Sequence, residues 1–151
     1  MNNSILAIFQ NGVFLSTLLG WVVAQSIKII INSVKERRFN FRWVVGTGGM
    51  PSAHSSGVMA LATAVGLQQG FDSTIFIASL VFAVVIAFDA QGVRRATGQQ
   101  AEILNKIMDD IYWRRKIQES RLKELIGHTP FEVFVGSIIG IAIAALVMNF
   151  Q

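Results

Sequence analysis

The chain contains no cysteine. Disulfides and thiolate metal centres are therefore excluded. Only two histidines are present, His54 and His128, too few for a His-rich metal site, so no metal and no cofactor is expected. Charge is scarce too. Only 15% of residues are charged, while 52% are hydrophobic; a soluble domain is nearer a quarter charged. That balance leans toward a membrane, and no nucleic-acid partner is expected. The first ten residues hold no Lys or Arg, and no small-residue cleavage site follows a short apolar core. The first apolar segment is thus expected to stay in the mature protein rather than leave as a signal peptide. No internal repeat or low-complexity tract is evident.

Four apolar stretches are present in the 151 residues, a length that suits one domain. They run from about Val13 to Ile31, Ser55 to Leu67, Thr74 to Phe88 and Val133 to Phe150. A helix needs roughly 20 residues to cross the hydrocarbon core, with a range of about 17–25. The first and fourth meet that length. The second and third must borrow flanking polar residues, which is tolerable where those ends are buried in protein or line a cavity. Small residues crowd the second and fourth, and Gly136 and Gly140 form a G-x-x-x-G pair that lets helix backbones approach. The expected fold is an all-α integral membrane helical bundle, one domain over 1–151. It has about four transmembrane helices (13–33, 53–68, 73–90, 130–149) and a cytoplasmic helical insertion at about 91–127. The competing reading is a buried soluble bundle.

The 13 basic residues set the orientation. Four lie between the first two stretches (Lys35, Arg37, Arg38, Arg42). Eight lie between the third and fourth, among them Arg94 and Arg95. Lys28 falls inside the first. The N-terminus, the 68–73 turn and the C-terminus have none. Four spans put both basic loops on one side, which the positive-inside rule makes cytoplasmic, with both termini outside the cell membrane. Within the insertion, Ile103, Leu104, Ile107, Met108, Ile111 and Tyr112 recur at helical spacing. A shorter helix carries Leu122, Leu125 and Ile126 and stops at Gly127. The expectation is a helical hairpin packed on the bundle, because Asp109, Asp110, Glu119 and Glu124 dilute the positive charge. The alternative is an amphipathic helix on anionic lipid.

Three clusters could carry chemistry. Gly46-Thr47-Gly48-Gly49-Met50-Pro51-Ser52-Ala53-His54 precedes the second span. Unpaired N–H groups at a helix start favour an anion, so Gly49, Ser52 and their neighbours could hold phosphate oxygens while His54 exchanges a proton. The plainer reading is a Gly-rich turn with Ser52 as N-cap. Asp89-Ala90-Gln91-Gly92-Val93-Arg94-Arg95 ends the third span. Arginine forks match phosphate oxygens, and a charge at the edge of an apolar span wants a partner; Arg94, Arg95 or Lys28 would serve Asp89. Gly127-His128-Thr129-Pro130-Phe131-Glu132 opens the fourth span. His128 and Glu132 are four apart, and a carboxylate beside a histidine fixes its tautomer. The same residues also read as a capping box with Pro at the first helical position, which would leave His128 just outside the helix. Under the four-span topology all these ends converge at the cytoplasmic interface. Histidines, cations and a Gly-rich helix start together suit binding and hydrolysis of a phosphate group.

Met50-Pro51-Ser52-Ala53-His54 resembles the P-S-G-H motif of the type 2 phosphatidic acid phosphatases, relatives of the vanadium-dependent haloperoxidases. His128-Thr129-Pro130-Phe131-Glu132-Val133 with Gly136 resembles their H-x-x-x-D signature and its following glycine. The whole chain is similar to the small divergent, typically bacterial branch of that superfamily. The resemblance implies a phosphohistidine mechanism. His128 would be the nucleophile, Glu132 its orienting carboxylate, and His54 the acid that protonates the leaving oxygen. Ser52 and nearby N–H groups would bind phosphate, with Lys28 and an arginine neutralising charge in the transition state. Ala53 stands where the family has glycine, and Glu132 where it has aspartate. Ser120-Arg121 precedes His128 by one residue more than the family's S-R, so Arg94 or Arg95 would fill that place. Trp43 replaces the proline of the family's K-x-x-x-x-x-x-R-P element at Lys35 to Arg42, which leaves Lys28 as the preferred cation.

The expected activity is hydrolysis of a lipid or isoprenoid phosphate on the cytoplasmic side, with membrane lipids as surroundings. The alternative is a non-catalytic membrane protein that binds phosphate-bearing lipids or a partner through a degenerate phosphatase pocket. A third reading is an assembly factor using the G-x-x-x-G face.

Overall fold

The computed structural model describes residues 2–45, 49–91, 100, 103–105, 107–108 and 128–151. The helices whose bounds fall within these residues are α1 (Asn2–Phe9), α2 (Gly12–Glu36), α3 (Arg42–Val45), α4 (Ala53–Gln69), α5 (Thr74–Gln91) and α6 (Pro130–Asn149). No strand occurs among the described residues. The four long helices coincide with the four apolar stretches, whereas α1 and α3 were not foreseen.

Local chemistry starts and stops each helix. Asn11 separates α1 from α2 and caps α2 by accepting the Phe14 N–H at 3.0 Å. Arg37, in the left-handed region at φ 50°, ends α2. Gly70, at φ 92°, ends α4, and Ser73 starts α5 by accepting the Phe76 N–H at 3.2 Å. The four residues 70–73 thus turn the chain through a hairpin, so α4 and α5 run antiparallel.

The packing is inside out relative to a soluble bundle. α4 touches α2, α5 and α6, and its buried residues are almost all Ala, Gly and Ser. The large apolar residues face outward instead, including Trp21 and Val22 on α2, Phe82 and Val85 on α5, and Phe134 and Ile138 on α6. In water so much exposed apolar surface would drive aggregation; in lipid it is the expected outer face. Close backbone approach then supplies the packing that hydrophobic burial supplies elsewhere. A Cβ at Gly140 would collide with the Ser56 carbonyl oxygen, and one at Gly20 would sit 2.9 Å from the Ala60 Cβ. The Ser56 hydroxyl donates to the Gly20 carbonyl at 2.7 Å, tying α4 to α2. The soluble-bundle reading is set aside on these grounds.

Helices α2, α5 and α6 are each long and apolar enough to cross a membrane. At 17 residues, α4 is about 26 Å long at 1.5 Å per residue, the shortest of the four. Most of the insertion lies outside the described residues, including Arg94, Arg95, Asp109 to Tyr112 and the Leu122–Gly127 helix. Residues 103–105 and 107–108 are helical, as the spacing predicts. Their apolar members Ile103, Leu104 and Ile107 are exposed, while the polar Asn105 is buried.

Candidate functional site

The start of α6 is built by one side chain serving two purposes. Thr129 caps the helix, accepting the Glu132 N–H at 3.3 Å, with Pro130 in the first turn. The Glu132 carboxylate folds back, and its Oε2 accepts the Thr129 N–H at 3.0 Å. That same oxygen lies 3.1 Å from His128 Nδ1. The two readings of this motif are therefore compatible. His128 does lie outside the helix, yet the capping geometry carries the carboxylate back to it. His128 is only 1% exposed, and its N–H donates to the Ala90 carbonyl at 3.0 Å. With Nδ1–H toward the carboxylate, the ring presents Nε2 as its basic nitrogen.

The start of α4 docks on this turn. The Ser52 N–H donates to the Glu132 carbonyl at 3.0 Å, and a Cβ at Gly136 would strike the Ser52 carbonyl oxygen. The glycine is needed because two helix ends meet backbone to backbone. Ser52 caps α4, its Oγ accepting from the Ser55 N–H at 3.3 Å and the Ser55 hydroxyl at 3.0 Å. Ser52 is completely buried. His54 stands in the first turn of α4 with its Nδ1 closed to solvent. Because Ser52 touches the first turn of α6, His54 and His128 belong to the same end of the bundle.

Lys28 joins them from α2. It is 2% exposed. A Cβ at Gly49 would lie 3.9 Å from Cγ and Cδ of Lys28, so Gly49 lies against the lysine stem. Gly49 takes φ 79°, a conformation that favours glycine.

Lys28, Gly49, Ser52, His128 and Glu132 are thus brought together. Asp89 is not part of this group. It is exposed and makes no ion pair with Lys28 or any other described residue; its buried neighbour Ala90 reaches the site instead, through a backbone carbonyl. Arg94 and Arg95 lie outside the described residues. Gln25 is not among the residues the sequence points to. Its buried amide donates to the Trp43 and Val44 carbonyls at 2.7 and 3.0 Å. The available signal was its polarity inside an apolar span, where an amide needs partners. Among the described residues no group of three His, Asp or Glu could hold a metal ion.

A protein-family model described as the divergent PAP2 family matches residues 9–143. A Bacillus subtilis (strain 168) protein described as "uncharacterized membrane protein YuiD" is 40% identical over 154 residues, spanning 95% of this chain and 98% of that relative. No solved structure matches the chain.

Proposed function

The chain belongs to the divergent PAP2 family, and from that premise we propose that this membrane protein binds the phosphate of a membrane lipid or isoprenoid at its cytoplasmic end and hydrolyses it through His128. The observation that carries the reading is the shared Oε2 of Glu132, 3.1 Å from a buried His128 Nδ1. A histidine needs such a partner to act as a nucleophile, because the carboxylate holds the tautomer and stabilises the ring as it becomes cationic. In the reaction, Nε2 bonds to phosphorus as the phosphorus–oxygen bond to the leaving group breaks. His54 gives that oxygen a proton. Water then attacks the phosphohistidine while giving a proton back to His54, the Nε2–phosphorus bond breaks, and phosphate leaves with both rings restored. Lys28, Gly49, Ser52 and Arg94 or Arg95 offset the charge on the phosphoryl oxygens, the largest demand in phosphoryl transfer.

The topology proposed with it has α4 crossing beside α2, α5 and α6, with both termini outside and the site at the cytoplasmic boundary. The antiparallel α4–α5 hairpin and the segregation of basic residues support it. The crowded helix ends fit the rule that irregular backbone at membrane depth must be buried in protein.

A binding-only role has one specific observation in its favour. His128 Nε2 and His54 Nδ1 are both closed to solvent, whereas a turning-over site must admit substrate and water. Assay of the purified protein in detergent against phosphatidic acid and isoprenyl diphosphates decides between them. Release of phosphate that disappears in both His128→Ala and His54→Ala supports hydrolysis. Vanadate binding without release of phosphate from any substrate supports the binding-only role.

A further inference from the structure

Gln25 and Lys28 lie three residues apart on α2, so they share a face, and both are buried. Gln25 meets residues 43 and 44, and Lys28 meets Gly49. The Gln25 side-chain nitrogen spends both its N–H donors on consecutive carbonyls, Trp43 at 2.7 Å and Val44 at 3.0 Å. These belong to α3, whose last carbonyls have no intrahelical partner. Five residues after Val44 the chain reaches Gly49, which lies against the Lys28 stem. From there Pro51 and Ser52 lead directly into the contact with Glu132. A glutamine inside an apolar span is costly unless its donors are met. Meeting them on a segment that would otherwise bond to water makes Gln25 a fastening.

We propose that Gln25 is a positioning residue of the phosphate site: by holding the Trp43 and Val44 carbonyls it sets where Gly49, five residues on, lies against Lys28. The clamp stands on its own geometry; its consequence for phosphate rests on the functional reading above. Gln25 touches no reacting atom in this scheme. It sets where the anion-binding backbone sits, and so acts on affinity more than on the chemical step.

The test uses Gln25→Met, which keeps length, volume and helix propensity but removes both donors, and Gln25→Glu, which has the same shape and no donor when ionised. Hydrogen–deuterium exchange of the full chain in detergent, without ligand, reads the clamp. The Trp43 and Val44 amides, bonded to the Asn40 and Phe41 carbonyls, should exchange about tenfold faster or more in both variants, with α4 and α6 amides unchanged. Orthovanadate titration reads the consequence: Kd should rise about tenfold, and where turnover is measurable KM should rise with kcat nearly constant. Unchanged exchange at Trp43 and Val44 overturns the proposal, as does faster exchange spread equally through α4 and α6, which would make Gln25 a general stabiliser. Faster local exchange with unaltered vanadate affinity overturns the positioning role. If the unsubstituted chain binds no vanadate, the phosphate reading fails and the positioning role with it, while the exchange data still decide whether the clamp exists.

Discussion

Glu132 Oε2 lies 3.1 Å from His128 Nδ1 while accepting the Thr129 N–H at 3.0 Å. Cap and histidine therefore share one atom. Helix initiation aims the carboxylate, so its orientation does not depend on a long, free side chain. Glutamate suits the place because its extra methylene lets it fold back over the first turn.

Glu132→Gln should separate these roles. The amide can still accept the Thr129 N–H, so helicity and thermal stability should change little. It cannot stabilise an imidazolium, so turnover on a lipid phosphate should fall by about 10²–10⁴-fold. Phosphate release from matched preparations measures this; activity within twofold of the parent would remove Glu132 from the mechanism.

Lys28→Met should weaken vanadate binding by about tenfold or more, since it removes the buried cation beside Gly49. Lys28→Arg should not restore it fully, because Gly49 packs against the slender lysine stem and a guanidinium is broader. Titration with vanadate at two salt concentrations checks both. Screening should have little effect if the charge is buried.

Gly140→Ala and Gly136→Ala should each destabilise the bundle by about 1–3 kcal/mol, the cost of overpacking a tight contact. Their functional effects should differ. Gly140 presses on Ser56 within the span, whereas Gly136 presses on Ser52 at the site. Thermal unfolding in detergent should therefore show similar losses, with vanadate affinity falling mainly in Gly136→Ala.

Cysteine labelling tests the topology without background, because the chain has no cysteine. A cysteine at Gln69, exposed at the end of α4, should react with a membrane-impermeant reagent from outside intact cells. One at Arg38, exposed beyond α2, should react only after the cells are opened. Labelling of both from outside would invalidate the orientation.

The motifs were legible where their physics is local. Ser52 caps α4 and Thr129 caps α6 because side chain and amide are three residues apart. The small residues of the second and fourth stretches foretold close helix packing, which Gly20, Ser56 and Gly140 now make specific. Asp89, for which Lys28 was one of three partners the sequence offered beside Arg94 and Arg95, shows the limit. Adjacent residues on a helix point about 100° apart, at 3.6 residues per turn, and that step turns Ala90 inward and Asp89 outward.

The chain's own order of residues determined that this protein is helical, that it belongs in a membrane, and where its long helices start and stop. Those properties come from apolar runs and caps spanning only a few neighbouring residues. Tertiary structure alone decided that Gly49 lies against Lys28, that Ser52 docks on the Glu132 carbonyl, and that Gln25 holds α3. Each depends on how helices distant in sequence rotate and approach, and that is settled by which backbones can come into contact.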